Sequence, residues 1–170
     1  MKLKCSIFRN MNEVDSAISA VLVEDDYLTR DSCMTELREM GIQVEGLGTE
    51  YKFRQNLAMW EETPPDIFVF GTWVRWTDPS PDMPEPTQDV IDEGYHRKAG
   101  LRMQRYIAVD PVLQHVPVIL WGFKTDDGQF IGKQVLSKKP PLTVFVDKYD
   151  EITRPGILAR TIRSLAIANR

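Results

Sequence analysis

Apolar positions along the chain fall into short continuous runs separated by stretches of helical spacing. Residues 17–23 are nearly all apolar and stop abruptly at three acidic residues, Glu24, Asp25 and Asp26. A short apolar run of this kind predicts a buried strand. Over residues 28–40, Leu28, Met34, Leu37 and Met40 recur at mostly helical spacing, and Gly41 supplies a C-terminal stop. Residues 42–47 alternate weakly and predict a second strand. Residues 49–62 predict one helix, with Phe53, Leu57 and Trp60 on one face and Pro64 and Pro65 beyond its end. Residues 66–70 predict a third strand. Pro79, Pro81, Pro84 and Pro86 then exclude a helix interior or a central strand. A helix follows, starting at Gln88 or at Tyr95 and ending near Ala108. Residues 116–121 predict a fourth strand with Pro117 at its start. Residues 124–137 are weakly patterned, with room for one short helix, and residues 142–146 predict a fifth strand. A last helix starts near Pro155 and runs to about Ala168, with Leu158, Ile162 and Leu165 on its apolar face.

Strands alternating with helices predict a doubly wound α/β fold, with a parallel sheet covered on both faces. Ligands in such sheets sit beyond the carboxyl ends of the strands. Residues 17–170 form this domain, and residues 73–94 form a long loop inserted after the third strand. Residues 1–16 are a polar N-terminal extension that reads either as a tail or as an extra strand over residues 2–8.

Composition narrows the function classes. The 170 residues are 42% hydrophobic and 27% charged, ordinary for a domain with a real core. No stretch approaches the ~20 apolar residues of a membrane helix, and no secretory signal is evident. The two cysteines, Cys5 and Cys33, form no CxxC pair, which argues for a reducing cytoplasm. His96 and His115 cannot by themselves build a multi-histidine metal centre. A net charge of −4 offers no general attraction for nucleic acid. Two basic stretches, one of Arg97, Lys98, Arg102 and Arg105 and one of Arg154, Arg160, Arg163 and Arg170, read as solvated faces.

The predicted strand ends carry the chemistry. The first delivers Glu24, Asp25 and Asp26; the third, Gly71, Thr72 and Trp73; the fourth, Trp121, Gly122 and Phe123; the fifth, Asp147, Lys148 and Tyr149. With Pro64, Pro65 and Asp66 leading into the third strand and the amphipathic last helix, this order resembles a response-regulator receiver (CheY-like) domain over about residues 20–168. The resemblance implies a flavodoxin-like (βα)5 sheet of five parallel strands in the order 2-1-3-4-5. It also implies that Glu24 and Asp25 match the Mg²⁺-holding acidic pair and that Lys148 matches the phosphoryl-binding lysine. Phe145 falls at the aromatic switch position.

Departures from the pattern set the functional expectation. Gly71 stands where the family's phosphate-accepting aspartate belongs, and Gly122 stands where its hydroxyl belongs. Tyr149, not proline, follows Lys148. Glycine has no nucleophile, and a metal site reduced to Glu24 and Asp25 binds Mg²⁺ weakly at most, because hard cations want several oxygens. The expectation is therefore a non-enzymatic pseudo-receiver with no required cofactor, acting on a protein partner. A second copy of the chain is another candidate partner, through the last strand and helices. No output domain follows residue 170, so the module is expected to stand alone. Trp73 and Trp76 either fold over the vacated pocket or join Trp121 in a partner-binding patch. Three alternatives stand beside this. One is a displaced acceptor at Asp25, Asp26 or Asp78. Another is a small-molecule sensor using the space at Gly71 and Gly122 between Trp73 and Trp121. The third is a metal-dependent hydrolase using Glu24 and Asp25.

Overall fold

The computed structural model describes residues 17–123, 135–137 and 139–169. The elements run β1 (Ile18–Val23), α1 (Tyr27–Glu39), β2 (Ile42–Leu47), α2 (Glu50–Gln55), α3 (Leu57–Glu62), β3 (Ile67–Gly71), α4 (Gln88–Asp92) and α5 (Ala99–Val109). They continue with β4 (Val118–Gly122), β5 (Val135–Ser137), β6 (Thr143–Asp147), α6 (Lys148–Thr153) and α7 (Ile157–Asn169). The expected N-terminal extension or extra strand lies outside the described residues.

One sheet has the order β2-β1-β3-β4-β6-β5. Its first five strands are parallel, in the expected order 2-1-3-4-5. The sixth, β5, is antiparallel to β6 and closes that edge. The sequence reading left room for a helix over residues 124–137. Residues 124–134 lie outside the described residues, and residues 135–137 are strand. Three residues are too few for either period to register. The outer edge of β6, part of the face expected to meet a second copy, is therefore already paired.

Alternate side chains of the strands feed two cores. Val21, Val23, Phe68, Phe70, Leu120 and Phe145 pack with Phe53, Trp60, Met103 and Ile107 of α2, α3 and α5. Leu22, Val69, Ile119, Trp121, Val144 and Val146 pack with Leu37, Leu158 and Ile162 of α1 and α7. The runs are continuous rather than alternating because both faces of a parallel sheet are covered.

The ends of the helices follow from local chemistry. The Asp26 carboxylate accepts from the Thr29 N–H at 2.7 Å and caps α1. Gly41, at φ 76°, takes the left-handed turn after that helix. The single helix expected over residues 49–62 is two. Asn56 breaks it by bonding the Lys52 carbonyl through its side chain (3.0 Å) and the Phe53 carbonyl through its N–H (3.1 Å).

The inserted segment lies along α2. Arg75 and Trp76 offer their carbonyls to the N–H groups of Glu50 (3.0 Å) and Tyr51 (2.8 Å), the orphan donors of that helix. Lys52 pairs with Asp78 at 2.7 Å, and the Trp76 indole N–H bonds the Pro84 carbonyl at 3.0 Å. No helix among the described residues is long and apolar enough to cross a membrane.

Candidate functional site

Four parallel strands bring Glu24, Gly71, Gly122 and Lys148 to one edge. β1 ends beside β3, with Val23 opposite Phe70. Gly71 sits opposite Trp121, and Gly122 opposite Asp147. Lys148 follows at once and turns its ammonium onto Glu24 Oε2 at 2.7 Å. Both side chains are largely buried, and the ammonium also lies 4.7 Å from the Trp121 ring. Burial raises the Glu24 carboxyl above its ordinary value, against the opposing pull of Lys148. The pair joins positions 124 residues apart in sequence and closes the fold across the site.

The space that two missing side chains would leave is occupied. A Cβ on Gly71 would lie 2.8 Å from Glu24 Oε2, 3.1 Å from Val74 Cγ2 and 3.2 Å from the Val23 carbonyl. A Cβ on Gly122 would fall inside the Thr72 side chain, 2.6 Å from its Cγ2 and 2.9 Å from its Cβ. Thr72 and Val74, both buried, thus come from the β3 side and pack over both strand ends. The tryptophans do not perform this task. Trp76 stacks edge-on against Tyr51, with ring centroids 5.4 Å apart, over α2. Trp73 is partly exposed against His96 and Arg97. Trp121 points into the α1/α7 core, so Trp73 and Trp121 do not wall a pocket between them. Phe145 is buried in the opposite core.

The residues here do not fit a divalent cation held as the receiver resemblance implies. Glu24 is engaged by Lys148. Asp25 accepts from the Arg75 N–H at 3.2 Å and its Nε at 3.4 Å. Position 71 contributes no oxygen from a side chain. Among the described residues no group of three His, Cys, Asp or Glu side chains is placed to hold a metal. The other carboxylates named as displaced acceptors also have structural partners: Asp26 caps α1, and Asp78 pairs with Lys52.

A second charged cluster was not legible beforehand. Glu50, fully buried, receives Arg102 Nη2 at 2.6 Å and Arg102 Nε at 3.1 Å, and Arg54 Nη2 at 2.6 Å. Arg54 also bonds Asp89 Oδ2 at 2.6 Å, and its guanidinium lies between the rings of Trp76 (5.0 Å) and Tyr106 (4.3 Å). Arg102, only 1% exposed, corrects the expectation that its stretch is a solvated face. Arg105 is tied to Glu93. The one available signal was spacing: Glu50 and Arg54 stand four apart on a helix. Nothing local foretold that Arg102 would close on them.

Comparison with known proteins bears on the fold. No family model matches the sequence, and no curated protein matches it. Solved structures do. The receiver domain of a signal transduction histidine kinase from Syntrophus aciditrophicus is 20% identical, with a TM-score of 0.56, covering 89% of this chain and 92% of that one. The receiver domain of a sensor histidine kinase from Pseudomonas aeruginosa, with a magnesium ion coordinated in its active-site cleft, is 14% identical. Its TM-score is 0.55, and the match covers 89% of this chain and 98% of that one. The chemotaxis response regulator CheY4 of Vibrio cholerae is 15% identical, with a TM-score of 0.52, covering 88% and 99%. The likeness establishes a CheY-like flavodoxin fold.

Proposed function

We propose that this chain is a receiver-like signalling module that works without phosphorylation, through contact with a protein partner. The observation that carries the reading is the filled pair of strand ends: Gly71 faces Glu24 and Val74, and Gly122 faces Thr72. A receiver of the resembled kind uses an acceptor carboxylate on the third strand, a hydroxyl on the fourth, a lysine after the fifth and a metal. Here Lys148 is bound to Glu24, Asp25 is bound to Arg75, and Thr72 fills the hydroxyl's place from the neighbouring strand. The degenerate phosphorylation site of Gly71, Gly122 and Lys148 becomes a structural clasp.

The test is a phosphoryl mimic. Beryllofluoride with Mg²⁺, added to the isotope-labelled chain, is expected to leave the amide spectrum of Gly71, Thr72, Gly122 and Lys148 unchanged. A saturable, Mg²⁺-dependent shift at these positions refutes the reading and favours a displaced acceptor.

A further inference from the structure

A groove of about 450 Å³ lies between α3 and the first halves of β1 and β2, at the opposite end of the strands from Lys148. It exists because α3 is short. Its six residues make about 9 Å of helix beside a strand, β2, of about 20 Å. Glu45 and Gln43 of β2, on the face where Glu45 meets the Trp60 indole, are left exposed. Val21, Met59, Trp60 and Pro64 also line the groove, and Met59 is 47% exposed. An apolar hollow open to water beside an edge strand calls for a cover. The outer edge of β2 is a poorer place for added chain. Its Val44 carbonyl already accepts from Arg38 Nη2 at 3.2 Å, and the Met34 side chain crowds Gly46.

Three observations select the occupant. The first is position: the chain enters β1 at Ile18, and the next residue, Ser19, lines the groove. Residues 9–16 reach up to ~26 Å when extended, so a segment before them can lie anywhere along it. The second is pattern. Leu3, Cys5 and Ile7 alternate with Lys2, Lys4 and Ser6, which gives an extended segment one apolar face. The third is charge. Glu45 lines the groove, Glu61 and Glu62 stand exposed at the end of α3, and no Lys or Arg among the described residues lines it. Residues 2–9 carry Lys2, Lys4 and Arg9 and no acidic residue.

We propose that residues 2–8 of this chain cover the groove in extended form. Leu3, Cys5 and Ile7 lie against Val21, Met59 and Trp60, and Lys2 and Lys4 lie toward Glu45 and the acidic end of α3. The groove is distinct from the space at Gly71 and Gly122, and the proposal does not depend on whether the chain can be phosphorylated.

The rate at which iodoacetamide alkylates Cys5 in the full chain, read by peptide mass, tests it. The other cysteine, Cys33, is buried and its thiol is pushed up to about 12, so it stays unreactive. Cys5 is expected to react about tenfold more slowly than in a synthetic peptide of residues 1–16, because a covered thiol is shielded. Leu3→Ser with Ile7→Ser, which leaves the described core untouched, should restore the peptide's rate. Met59→Lys should do the same from the groove side, with the melting temperature as a check on folding. A peptide-like rate in the parent chain overturns the proposal, as does protection that survives in Met59→Lys. Protection that grows with protein concentration also overturns it, because the cover then comes from a second copy.

Discussion

Two charged regions of this molecule invite comparison. At the carboxyl edge of the sheet, one lysine and one glutamate make a single, largely buried ion pair, Lys148 to Glu24. Beneath the inserted segment, one glutamate serves two arginines: Glu50 holds Arg102 and Arg54, and Arg54 goes on to Asp89 between two aromatic rings. The first region pairs an acidic residue after β1 with the lysine after β6, across strand ends that carry glycine at 71 and 122. The second has no counterpart in the expected pattern and carries the more deeply buried charge. Forming an ion pair at a buried site adds little net stability, whereas removing one partner leaves a stranded charge. Each region should therefore be judged by what its loss strands.

The largest expected effect follows. Glu50→Gln leaves the buried Arg102 guanidinium with only the longer contact to Glu93, 3.9 Å away, as counter-charge, and leaves Arg54 to Asp89 alone. Chemical denaturation should show a loss of about 3–5 kcal/mol, together with protease sensitivity of residues 75–92, since the same network anchors them. A loss below that seen at Lys148 would reverse the ranking of the two regions.

Lys148→Met comes next. It strands Glu24, but that carboxyl can take a proton, so the cost at neutral pH should be about 1–3 kcal/mol. The sign with pH follows from the raised Glu24 carboxyl. Stability from its neutral form is full below the unfolded value of about 4.3 and is lost as pH rises through the folded value. Removing Lys148 raises that folded value further. The deficit of the variant should therefore be largest at neutral pH and shrink on acidification.

Much of the first region was legible in the residues, and the second was not. The five parallel strands announced themselves as apolar runs ended by polar residues, and Glu24, Gly71, Gly122 and Lys148 fell at strand ends as read. What escaped was the occupancy of the space between them. Thr72 and Val74 are unremarkable beside Trp73 and Trp76, and only the close pairing of β3 with β4 puts a threonine where a β4 side chain would stand. Arg102 looked like one member of a basic face because a helical stretch of arginines does not state which of them turns inward. Its partner Glu50 lies 52 residues away.

Thr72 and Gly122 offer a smaller, sharper test. Gly122→Thr alone overpacks the strand end, at a cost of about 1–3 kcal/mol. The double change Thr72→Gly with Gly122→Thr, which also removes the Thr72 Cβ 2.9 Å from that position, should recover much of that loss, a coupling measurable in a double-mutant cycle. Simple addition of the two single losses would mean that they do not share the space.

The smallest effect concerns acid stability. Burial alone would raise the Asp89 carboxyl, but hydrogen bonds from Arg54 and Thr87 outweigh it and hold the group well below the ordinary range. A lowered carboxyl contributes stability above its unfolded value of about 3.9, and this is lost as pH falls through the folded value. Asp89→Asn should therefore cost a few tenths to about 1 kcal/mol at neutral pH, with less further loss between pH values of about 4 and 2 than the parent chain shows. Parallel acid limbs would show that Asp89 contributes nothing through its charge.

The central claim is that the edge formed by β1, β3, β4 and β6 no longer accepts a phosphoryl group. Intact mass after incubation with acetyl phosphate and Mg²⁺ tests it most directly. The account predicts an unchanged mass. A stoichiometric, hydroxylamine-labile phosphoryl adduct on any carboxylate of that edge would contradict it.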